Sequence, residues 1–128
     1  MKIGIPVTRQ DGKGNIDQHF GRCPYYAVIE IDSDEIVGIN VIENTSAHQS
    51  GGAGITGSQL IANQGIDVII AANMGPRAVE VFDQLDIELY RAEDDIESAV
   101  RDFIEGNLQR ITSATGPSHQ GMGRYGGR

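Results

Sequence analysis

The chain is predicted to fold as a single α/β domain on a mixed five-stranded sheet carrying three helices. Three observations carry that prediction. The first third alternates short β-branched runs with loop signals. Residues 67–72 (DVIIAA) form a continuous apolar run, as expected of a central strand covered on both faces. Between and after the later strands, apolar residues recur at helical spacing.

Taken in order, residues 2–8 are rich in Ile and Val and run into the loop signal Arg9-Gln10-Asp11-Gly12. Residues 26–32 alternate, with Ala27, Ile29 and Ile31 on one face and Glu30 and Asp32 on the other. A polar turn, Asp32-Ser33-Asp34-Glu35, leads to a third strand over 36–43. So short a connection makes these two an antiparallel hairpin. Gly51-Gly52-Ala53-Gly54 opens a helix to about residue 64, with Gly65 as its stop. After the apolar strand, Gly75-Pro76 places proline in a first helical turn. Ala78, Val81, Phe82 and Leu85 then follow helical spacing. Residues 86–90 are a fifth strand, and Asp94 or Asp95 caps a last helix striped by Ile96, Ala99, Val100, Phe103 and Ile104.

The element order β-β-β-α-β-α-β-α constrains the sheet. A right-handed crossover after the hairpin places the fourth strand on the free side of the first, giving the order 3-2-1-4-5 with strand 2 antiparallel. The loops after strands one, three and four then share one rim, at the switch point where open α/β sheets bind ligands.

The domain is expected to span 1–111. Residues 112–128 contain five glycines, no acid and no Val, Leu or Ile, and are expected to be a disordered Gly/Arg-containing tail. All 18 acidic residues lie at or before Glu105, and the net charge of −8 argues against nucleic-acid binding. No run approaches the ~18 apolar residues of a membrane helix. The first residues read as a strand rather than a signal peptide, and the lone Cys23 requires no oxidising compartment. A cytoplasmic location away from membranes is expected.

The shared rim collects the residues with chemistry. After strand one stand His19, Phe20, Gly21, Arg22 and Cys23. After strand three come His48, Gly52 and Gly54, and after strand four Asn73, Met74, Gly75 and Arg77. Helix N-termini opening there offer unpaired N–H groups and a positive dipole end to an anion. His19 and Cys23, four apart in a loop, are candidate metal ligands for a soft metal or iron–sulfur species; the alternative is that they pack the loop. His48 is either a rim ligand or an ordinary exposed loop histidine. The glycine cluster is neither a phosphate loop of the Walker type nor a dinucleotide fingerprint. Arg77 supplies a fixed positive charge, or else joins a surface salt bridge. Met74 is a soft ligand or a core filler.

Catalysis finds little support. The first strand (KIGIPVTR) has no inward carboxylate for a two-metal hydrolase, and no Ser/His/Asp arrangement stands out. The chain is not expected to be an enzyme.

The strings His19-Phe20-Gly21-Arg22-Cys23-Pro24-Tyr25-Tyr26, Gly51-Gly52-Ala53-Gly54, residues 67–76 (DVIIAANMGP) and Glu105-Gly106-Asn107-Leu108 together resemble the dinitrogenase iron–molybdenum cofactor biosynthesis family. That family includes the NifX-like proteins and the C-terminal domain of NifB, and the likeness covers about residues 1–111. The resemblance implies a ribonuclease H-like fold without ribonuclease H chemistry. It implies non-covalent binding or carriage of iron–molybdenum cofactor, its precursor or another metal–sulfur cluster, with His19 of the HFG string as the ligand carried over. It also implies a ParA/Mrp-like ATPase as an alternative partner, in which case the chain is an interaction module without cofactor.

Overall fold

The computed structural model describes residues 1–48 and 51–112. The elements run β1 (Lys2–Val7), β2 (Tyr25–Asp32), β3 (Glu35–Glu43), α1 (Ala53–Ala62), β4 (Val68–Ala71), α2 (Pro76–Gln84), β5 (Glu88–Arg91), α3 (Ile96–Ile104) and β6 (Gln109–Arg110). The sheet order is β3-β2-β1-β4-β5-β6. β2 is antiparallel to both its neighbours, and β1, β4 and β5 are mutually parallel. The expected order of the first five strands therefore holds, but the sheet has six strands rather than five. β6 is only two residues, Gln109 and Arg110, pairing antiparallel with Arg91 and Tyr90. A two-residue strand is too short to show any alternation in sequence. The expected tail over 112–128 lies, beyond Thr112, outside the described residues.

The hairpin turn uses left-handed conformations at Ser33 (φ 52°) and Asp34 (φ 65°), the backbone that matches strand twist in a two-residue turn. β5 starts two residues later than expected. Leu85 closes α2 and Asp86 is left-handed at φ 59°, so neither can extend a strand. α1 ends at Ala62, and Gly65, at φ 76°, turns the chain into β4.

Two apolar layers cover the sheet. On one face Ile3, Ile5, Val7, Ile29 and Ile70 pack with Ile96, Ala99 and Val100 of α3. On the other, Tyr26, Ile69 and Met74 pack with Ile61 of α1 and Phe82 of α2. Gly4 sets the approach of α1: a Cβ there would stand 2.9 Å from Ile61 Cγ1 and 3.0 Å from Ile69 Cδ1. The parallel pairing of β1 with β4 covers Ile3 and Gly4 only, so Pro6, which has no N–H to donate, falls past it. Past that pairing the end of β1 is flanked by the loop that follows it: Val7 bridges Ile16, and the Asp17 N–H donates to the Pro6 carbonyl. β3 forms the far edge, with Ile36, Val37 and Ile39 exposed.

Candidate functional site

The loop after β1 is held in place by a buried polar hub. The N–H of Gly21 donates to the Tyr26 hydroxyl at 3.1 Å. Asn44, just past β3, donates its side-chain amide to the carbonyls of Gly21 (3.0 Å) and Cys23 (2.7 Å). Its Oδ1 accepts the Ser46 hydroxyl at 2.6 Å and the Ser46 N–H at 3.0 Å. Asn44 and Ser46 are both buried, and their polar atoms are bonded to one another and to the loop, which is what burial requires. α1 reaches the same hub at Gly57, where a Cβ would stand 2.6 Å from the Tyr26 hydroxyl and 3.0 Å from the Gly21 Cα. Phe20 anchors the loop on α2: its ring centroid lies 5.5 Å from that of Tyr26 and 5.7 Å from that of Phe82. The loops after β1 and β3 are thus joined, and both α1 and α2 abut the first.

His19 projects from this anchored loop with its side chain 79 % exposed. Asp17 lies behind it, 12 % exposed. One carboxylate oxygen, Oδ1, accepts the backbone N–H of His19 at 2.7 Å and stands 3.3 Å from His19 Nδ1. Asp17 is itself fixed by donating its N–H to the carbonyl of Pro6 at 2.9 Å.

Cys23 sits elsewhere. It is fully buried in the layer beneath α1 and α2. Burial pushes its thiol from 9.0 up to about 12, partly offset by a hydrogen bond from the Tyr26 hydroxyl. A thiol so raised is protonated near neutrality and is a poor metal ligand. Of the two readings of Cys23, the geometry favours the buried hydrophobe. Met74 is likewise buried at 1 % exposure and fills the same layer, and Phe20 packs half-buried against it.

The helix starts complete the rim. Gly52 stands at the N-cap of α1 and Gly75 at that of α2, and among the described residues neither helix has a side-chain cap or an acid in its first turn. Among the described residues no side chain caps the first N–H groups of α1 or those that follow Pro76 in α2. α3 differs: Asp95 accepts the Ser98 N–H at 3.1 Å, and Glu97 sits in the first turn. Gly54 and Asn73 are half-buried within these two rim segments. Arg77 is exposed in the first turn of α2 and forms no ion pair among the described residues. Arg22 is exposed and reaches the Ala47 carbonyl at 3.5 Å, while His48 is exposed at the end of a described segment. Among the described residues no group of three or more His, Cys, Asp or Glu could hold a bare metal ion.

Residues 1–106 match the dinitrogenase iron–molybdenum cofactor family. The chain belongs to that family. Among curated relatives it is 39% identical over 112 residues to the uncharacterized protein MJ0580 of Methanocaldococcus jannaschii, covering 87% of this chain and 92% of that protein. The apo form of the orange protein from Desulfovibrio gigas superposes with a TM-score of 0.82 at 22% identity, covering 90% of this chain and 96% of that chain, a likeness of fold. A candidate NifB protein from Thermotoga superposes with a TM-score of 0.73 at 26% identity, covering 90% and 97%. Membership accords with the motifs quoted above, and it supplies the association with iron–molybdenum cofactor or related clusters.

Sequence reasoning missed Asp17, Asn44, Ser46 and Gly57. Two of them carry a readable signal. In Asp17-Gln18-His19 and Asn44-Thr45-Ser46 a short side chain can accept the N–H two residues on, the mark of an Asx turn. Gly57 carries none, because its role depends on a tyrosine far away in sequence.

Among the described residues no helix is long and apolar enough to cross a membrane.

Proposed function

We propose that the chain is a binding and carrier protein for iron–molybdenum cofactor, its precursor or another anionic metal–sulfur cluster. The observation that carries the reading is the pairing of one exposed, carboxylate-backed imidazole, His19, with two helix starts left without caps or acids. A bare metal ion needs several protein donors, and the described residues gather none of the usual groups. A pre-assembled cluster brings its own sulfide ligands. It needs one further donor and a place for its negative charge, which the backbone N–H groups of α1 and α2 and the Arg77 guanidinium offer. The family and the neighbours named above support cofactor binding. Neither names an ATPase, and no ATPase partner is proposed.

The roles then divide. His19 ligates, and Arg77 with Gly52 and Gly75 balances charge. Phe20, Cys23 and Met74 hold the loop from below rather than touching the cluster. The role proposed is carriage without turnover, and no residue is assigned as acid, base or nucleophile.

Anaerobic reconstitution with iron and sulfide, followed by desalting and visible absorption, tests this. Wild type is expected to retain a cluster chromophore that His19→Ala loses. Equal colour in both, or none in either, contradicts the reading.

A further inference from the structure

Within the reading of His19 as the ligand, on which this inference rests, we propose that Asp17 is the positioning residue that selects which ring nitrogen meets the cluster. An ionised carboxylate only accepts hydrogen bonds, so an Asp17 oxygen 3.3 Å from His19 Nδ1 favours the tautomer that carries its proton on Nδ1. The lone pair then resides on Nε2, and with the ring 79 % exposed that nitrogen is open to an incoming cluster. The arrangement is the carboxylate–histidine support common behind metal-bound imidazoles, which fixes tautomer and ring orientation and makes the nitrogen a better donor.

The support is rigid. Asp17 is tied to the end of β1 through its N–H to the Pro6 carbonyl, and neighbouring Ile16 is buried and bridged to Val7. The same Oδ1 that faces the ring also accepts the His19 backbone N–H at 2.7 Å, so backbone and ring are set by one oxygen. An exposed histidine otherwise samples many orientations and spends rotamer freedom on binding. Asp17 restricts that freedom beforehand. The carboxylate also places a negative charge behind the imidazole, which compensates electron density drawn toward the metal.

The test uses the full chain with histidine labelled at both ring nitrogens, without cluster, at about pH 8.5, where histidine is ordinarily neutral. Nitrogen NMR of wild type is expected to show Nδ1 protonated and Nε2 bare for His19. Asp17→Ala is expected to shift the ring toward the Nε2-protonated tautomer. Asp17→Asn, whose amide oxygen still accepts, is expected to keep the wild-type tautomer. Backbone amide spectra establish that each variant is folded. Wild type with Nε2 protonated, or Asp17→Ala with an unchanged tautomer, overturns the proposal.

A second arm reconstitutes the same proteins with iron and sulfide, reduces the cluster by one electron with dithionite, and reads the nitrogen coupling by pulsed EPR, with histidine carrying the label at Nε2 alone. Coupling to the labelled nitrogen is expected in wild type, with cluster affinity reduced about 10- to 100-fold in Asp17→Ala. Coupling to Nδ1 instead overturns the assignment of Nε2. If the tautomers behave as stated and no cluster binds, the carrier function fails while the pairing of Asp17 with His19 stands, so the two failures are told apart.

Discussion

At the scale of single residues, the chain separates its two candidate metal ligands by exposure. His19 is held out to solvent over a half-buried carboxylate, whereas Cys23 is enclosed and its thiol is pushed up to about 12, chiefly by burial. Two consequences follow from the thiol. The folded protein is expected to react with iodoacetamide at pH 8 far more slowly than the same protein in urea, because the thiolate is the nucleophile. The folded chain also keeps this proton where the unfolded chain releases it. The resulting stability is therefore present below about pH 9 and lost as pH rises toward 12. Burial raises the Tyr26 phenol too, which adds to the loss in the same direction. Denaturant titrations at pH 8 and 10.5 check this, and Cys23→Ala should weaken the alkaline decline. A decline identical in wild type and variant would assign it to other groups.

At the scale of elements, the strands were readable because their patterns are strong. The 67–72 run announced β4 as a strand covered on both faces, and the alternation of residues 26–32 announced β2, which the fold buries on both faces as far as Ile29. α3 was readable too, since Asp95 caps it and its stripe is buried at Ile96, Ala99 and Val100 and half-buried at Phe103 and Ile104. β6 was not, being two residues long. α1 was the most informative surprise. Gly57 reads as a weakness in a helix, yet it is the gap through which the Tyr26 hydroxyl reaches Gly21. Alanine normally gains about 1 kcal/mol over glycine inside a helix. At Gly57 the new methyl meets an oxygen at 2.6 Å and a backbone carbon at 3.0 Å, so we expect Gly57→Ala to destabilise by about 1–3 kcal/mol. Gly54→Ala, with nothing within 4 Å, should instead stabilise by up to about 1 kcal/mol. Chemical denaturation of both variants reads the contrast, and equal effects would show that the hub tolerates a side chain at Gly57.

At the scale of the whole molecule, the strand order makes the rim. β1 pairs with β4 at Ile3 and Gly4, and the loop after β1 packs on α1 and α2. That general location was legible in the sequence because element order and crossover handedness leave few topologies. The distribution of roles within it was not. Nothing local distinguishes an exposed His19 from a buried Cys23 four residues later; burial depends on Tyr26, Asn44 and Met74, which the fold brings from three other segments. The overall charge of −8 sharpens the problem for an anionic cargo. Attraction must come from short-range groups, the N–H ends of α1 and α2 and Arg77, because the long-range field opposes approach. The most direct measurement is a backbone amide NMR titration with a synthetic, anionic, thiolate-capped iron–sulfur cluster. Paramagnetic broadening centred on residues 19–22 and on the first turns of α1 and α2 is the predicted result. Broadening centred on the β3 edge, or spread evenly over the surface, would contradict a cluster site on this rim.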